Sequence, residues 1–143
     1  MPQKNERGAM AVEFALITPI LLLLVVGIIE FGILLVNQAM LTNASREAAR
    51  AGIVASNPRP SGTAITSIVN AYLTNAGLNA GSATVTVQNL TTGVTCGATP
   101  CCTGFQHDLS VRVIYAYSFV ALPSLISGFS TPTLGATTRM KCE

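Results

Sequence analysis

From Ala9 to Ile29 the chain is apolar at nearly every position and carries a single ionisable residue, Glu13. About 20 apolar residues at 1.5 Å rise each match a hydrocarbon core of roughly 30 Å, so this run predicts one membrane-spanning helix. Polar positions take over after Asn37, yet no turn cluster appears before Gly52, and one continuous helix from Ala9 to about Gly52 is expected. Pro19 lies inside it, where its ring removes an N–H donor and leaves the Ala15 carbonyl without a helical partner. In NQAMLTNASREAARAG, Leu41, Ala44, Ala48 and Ala51 recur at spacings of three and four, with Arg46, Glu47 and Arg50 on the other side. A stripe of small residues suits close approach by another helix, and residues 37–55 read as a helical stalk.

Gly52 and the following SNPRPSG predict the end of that helix. AITSIVNAYLTNAG then reads as a short amphipathic helix, capped by Ser61 or Thr63, with Ile65, Ile68, Val69 and Tyr72 on one face and Gly77 past its end. SATVTVQNL alternates Ala83, Val85 and Val87 with Thr84, Thr86 and Gln88, a strand with one buried face. LSVRVIYAYSFV repeats the alternation, with Val111, Val113, Tyr115 and Tyr117 opposite Arg112, Ile114 and Ala116; the two strands are expected to pair as a hairpin with a long loop. After a loop containing Pro123, Gly128 and Pro132, LGATTRMKC reads as a third strand at the sheet edge. The fold class is therefore α+β: a long N-terminal transmembrane and stalk helix, a short second helix and a small three-stranded antiparallel sheet. The expected division is 1–8 as a basic leader, 9–36 as the transmembrane helix, 37–55 as the stalk and 56–143 as a small α+β domain.

Composition supports the membrane reading, since half of the residues are hydrophobic and 10% are charged, against about a quarter charged in a soluble domain. A net charge of +2 without a basic patch argues against nucleic acid as a partner. All four cysteines, Cys96, Cys101, Cys102 and Cys142, lie in the C-terminal part, which suits disulfides formed in an oxidising compartment. Lys4 and Arg7 precede the span, and the positive-inside bias keeps such an end cytoplasmic. Charge and cysteine placement thus agree on an N-terminus in the cytoplasm and a C-terminal domain outside it. A bond between adjacent Cys101 and Cys102 would be strained, so Cys96 is expected to pair with one of them and Cys142 with the other. No CxxC spacing points to a metal, and His107 beside Asp108 is the only histidine beside the only aspartate. No catalytic constellation, cofactor or small-molecule substrate is expected.

Glu13 carries the most information, because a carboxylate a few residues inside an apolar span costs several kcal/mol unless it finds a partner or a proton, or reaches the headgroups about 6 Å back along the helix. With that glutamate in place, RGAMAVEFALITPILLLLVVGIIEFG and the later NASREAARAG resemble the N-terminal signature of TadE-like pseudopilins of tight-adherence (Flp-type IV) pili, over residues 7–52. The resemblance implies a pilin-like architecture and cleavage by a prepilin peptidase after Gly8, which makes Ala9 the new N-terminus. Glu13 then stands fifth in the mature chain, with Phe14 in the family's aromatic place, and its carboxylate neutralises the α-amino group of a neighbouring subunit's Ala9. Two buried charges that compensate only in register would set how subunits stack.

The partners so implied are the membrane, the peptidase and other pilin subunits, met through the N-terminal helix. The implied location is a bacterial inner membrane with incorporation into an extracellular adhesive pilus, as a structural or priming subunit. Glu30, about 25 Å further along the helix, reads either as an outer-interface residue or as a second contact between subunits. A different class of function also fits the pattern: a binding or sensor domain on the outer face that uses the helix only as an anchor.

Overall fold

The computed structural model describes residues 6–119 and 131–143. Most of the leader and the part of the Pro-containing loop from Pro123 to Gly128 lie outside the described residues. Helix α1 runs without interruption over Glu6–Ile53, with Pro19 inside it. It contributes to two compact units: the first holds α1 as far as Leu34, and the second comprises Leu35–Ser118 and Thr131–Glu143.

In the second unit, α1 is followed by α2 (Gly62–Asn75), a 3₁₀ turn (Ala80–Ser82) and strands β1 (Ala83–Asn89), β2 (Val94–Thr95), β3 (Asp108–Ala116) and β4 (Thr133–Lys141). The strands form one antiparallel sheet in the order β2-β1-β3-β4. The architecture is α+β as expected, with four strands in place of three. The additional strand is β2, a two-residue element inside the long β1–β3 connection that pairs Val94 with Asn89 and Thr95 with Gln88. Two residues are too few to show a period, so the hydrophobic pattern carries no trace of it.

Alternation along the strands decides which face is buried. On β3, Leu109, Val111, Val113 and Tyr115 point inward, opposite Val87 and Val85 of β1 and Ala136 and Leu134 of β4 in the ladder. The inner face is covered by α1 and α2. On α1, Leu41, Ala44, Ser45, Ala48 and Ala49 are fully buried. The Gln38 Nε2 group donates to the Gly135 carbonyl at 2.8 Å, and Ser45 Oγ lies 2.7 Å from Thr138 Oγ1. Leu41, Ala44 and Ala48 of the small-residue stripe are thus buried within the chain's own folded unit, of which residues 35–53 are an integral part.

Gly52 also has a different role from the expected stop signal. The helix continues through it to Ile53, and a Cβ at this position would lie 2.7 Å from both Ile65 Cδ1 and Leu109 Cδ2. Its missing side chain is what lets α1, α2 and β3 converge.

Helix α2 begins at Ser61, whose side chain accepts from the Ala64 N–H at 3.2 Å. It ends in a Schellman arrangement: Gly77 takes φ +79°, its N–H reaches the Thr74 carbonyl, and the Leu78 N–H reaches Leu73. Ile65, Val69 and Leu73 form its buried line, with Ile68 and Tyr72 half-buried at the margin. Each such side chain contributes on the order of 1.5–3 kcal/mol through burial.

The cysteines form two disulfides, Cys96–Cys101 and Cys102–Cys142, with Cα separations of 5.4 and 5.6 Å. Buried Asn89 organises the loop around them. Its Nδ2 donates to the Cys101 carbonyl and to His107 Nδ1, while its Oδ1 accepts from the N–H groups of Thr91 and Thr92. His107 therefore holds a loop in place. Arg59 donates to the Glu143 carbonyl at 2.7 Å, and the Glu143 N–H reaches the Ile53 carbonyl at the end of α1.

Candidate assembly surface

The N-terminal half of α1 presents apolar side chains to its surroundings on every side. Met10 is 71% exposed and Phe14 72%, and Val12, Leu16, Ile17 and Ile20 to Val25 are also exposed. A helix that is apolar all round needs lipid or other apolar helices about it. Among the described residues this is the one helix long and apolar enough to cross a membrane, which is consistent with membrane anchoring.

Gly8 and Ala9 lie within the helix and are exposed, four or five residues before Glu13. Glu13 is itself exposed and makes no ion pair or hydrogen bond among the described residues. Its neighbours on the helix surface at three and four residues, Ala9, Met10, Leu16 and Ile17, bear no side-chain charge, so the helix gives it no partner of its own. The carboxylate stands alone on an apolar surface. Next to it, the Thr18 hydroxyl donates to the Phe14 carbonyl at 2.7 Å, one turn before Pro19.

Glu30 contrasts with Glu13, since it is only 2% exposed and has an interaction within its own chain. The pattern places Glu13 inside the apolar run and Glu30 just past its end, and the burial of Glu30 within its own chain is not visible in it. Among the described residues no group of three or more His, Cys, Asp or Glu side chains is placed to hold a metal ion.

The family model for TadE-like protein matches residues 8–50. Over this helix the chain is similar to TadE-like proteins. The TadE-like match begins at Gly8, ends within the last turn of α1, and includes no residue of α2 or the sheet. Both the exposed apolar half of α1 and its buried stripe therefore lie inside the TadE-like segment, as does Glu13. Comparison with curated proteins and with solved structures gives no match.

Proposed function

We propose that this chain, similar to TadE-like proteins over residues 8–50, is a structural or priming subunit of a tight-adherence pilus, cut by a prepilin peptidase after Gly8 and assembled through its N-terminal helix. The observation that carries the proposal is Glu13: a carboxylate without a partner among the described residues, on an apolar helix surface, five residues after a glycine. Cleavage after Gly8 creates an α-amino group at Ala9. In a packed bundle of such helices, the ammonium of one copy and the Glu13 carboxylate of the next neutralise each other. A copy shifted out of register leaves both charges desolvated and unpaired, at a cost of several kcal/mol. The pair thus acts as a register device, while the apolar side chains around it supply non-directional adhesion between helices. Phe14 and its apolar neighbours form the surface that packs, and Glu30, buried in its own chain, is left out of the contact.

In this reading the basic leader stays in the cytoplasm until it is removed, the disulfide-bonded domain lies outside, and the assembled pilus serves surface adhesion. The decisive experiment is the mass of the chain produced with and without a prepilin peptidase. The expected product with the enzyme begins at Ala9. A chain still beginning at Met1 under both conditions would sink the proposal and return the protein to the class of anchored binding domains.

A further inference from the structure

The sheet face turned away from the helices is polar and concave. Its hollow, about 320 Å³, is lined by Thr86, Gln88, Ser110, Arg112, Thr137 and Arg139, with Leu90 and Ile114 at its margin. In the ladder Arg112 stands opposite Thr137 and Arg139 opposite Ser110, so the two arginines are diagonal neighbours on one face. Such neighbours have Cβ atoms about 7 Å apart.

Both guanidinium groups are exposed and neither has a hydrogen bond or an ion pair among the described residues. The one acid on this face among the described residues, Asp108, is paired with Lys141 at 3.4 Å, at the end of the strands. Two like charges held together without a counter-charge raise the energy of the free domain, and an anion between them relieves it.

From this arrangement we infer that the outer sheet face binds an anionic glycan, its carboxylate or sulfate held by the Arg112 and Arg139 pair. Guanidinium groups offer planar forks that fit such groups with two parallel hydrogen bonds. The hydroxyls of Thr86, Ser110 and Thr137 donate and accept, as the ring hydroxyls of a sugar require. Among the described residues no aromatic side chain lines the hollow, which argues against single-stranded nucleic acid, since that class binds by stacking its bases. The inference goes beyond the assembly reading and is independent of it, because binding at this face requires neither cleavage nor a filament.

The test uses the full chain in nanodiscs of zwitterionic phosphatidylcholine, with oligogalacturonate as the probe and binding followed by biolayer interferometry. Neutral dextran oligosaccharide, polyphosphate and polyglutamate serve as comparison ligands. The expected result is saturable binding of oligogalacturonate that weakens with added salt, with weaker binding of polyglutamate and none of dextran. The double variant Arg112→Gln/Arg139→Gln is expected to raise Kd at least about tenfold, the scale of one lost charge-assisted contact. Its thermal unfolding midpoint should not fall, because both side chains are exposed and have no hydrogen bond or ion pair to lose among the described residues. Arg112→Lys/Arg139→Lys keeps the charge without the fork and is expected to fall between the two. Absence of binding to the wild-type chain, equal binding of dextran, or tighter binding of polyphosphate or polyglutamate would each overturn the inference. So would a Gln double variant within about twofold of wild type, or a Lys double variant as tight as wild type.

Discussion

Ser45 Oγ and Thr138 Oγ1 lie 2.7 Å apart, joining the long helix to the last strand of the sheet. Ser45 spends its own proton on the Thr42 carbonyl, so the Thr138 hydroxyl is the donor between the two. Ser45 is fully buried. Ser45→Ala and Thr138→Val are each expected to lower stability by about 1–2 kcal/mol, and the double variant by less than the sum, as befits a direct bond. Denaturant unfolding of the four proteins in detergent measures the coupling, and strict additivity would refute the bond.

Glycines at two helix positions are expected to respond in graded fashion to the smallest possible enlargement. Gly52→Ala places a methyl 2.7 Å from the ends of two buried side chains, Ile65 and Leu109, which can shift only by disturbing the core. A loss of about 1–3 kcal/mol is expected, as for overpacked cores. Gly62→Ala meets the backbone of Cys96, which has no rotamer to change, and should cost more. Unfolding midpoints in which Gly52→Ala is the worse of the two would contradict this packing.

The two disulfides enclose very different lengths of chain, with partners 5 and 40 residues apart. Loop-closure entropy predicts about 2 kcal/mol for Cys96–Cys101 and about 4 kcal/mol for Cys102–Cys142. Cys102→Ser/Cys142→Ser is therefore expected to lower the denaturation midpoint more than Cys96→Ser/Cys101→Ser. Parallel denaturant titrations check the order.

Glu13→Ala is expected to leave membrane insertion and cleavage after Gly8 intact while reducing the amount of chain in sheared filaments severalfold. Removing the carboxylate makes the helix more apolar, so any failure must arise from assembly and not from anchoring. Filament content equal to wild type would remove Glu13 from the register role.

Much of this architecture was legible in the amino-acid order, because strong periods survive folding. The 3.6-residue pattern of α2, the alternation of β1, β3 and β4, and the long helix all appear where the pattern places them. What escaped was whatever depends on partners distant in the chain. Leu41, Ala44 and Ala48 are a visible stripe, yet only the fold reveals that they are buried within the chain's own folded unit. Gly52 reads as punctuation because glycine usually is, and its packing role requires Ile65 and Leu109 to be in place. Glu13 stands out as a candidate in the sequence since its cost is local, whereas the placement of Arg112 beside Arg139 needs the register of β3 and β4.

The Cys102–Cys142 bond has a mechanical consequence. If α1 is the part of the chain anchored among its neighbours, tension on the exposed domain is transmitted through the seam between α1 and β4. Unravelling that seam would free the segment between the two cysteines, whose contour length at about 3.5 Å per residue is near 140 Å for a separation of 40 residues. The covalent loop withholds that length. A domain so tied resists stretching as a short stiff link, where the reduced form would lengthen many times over under the same pull.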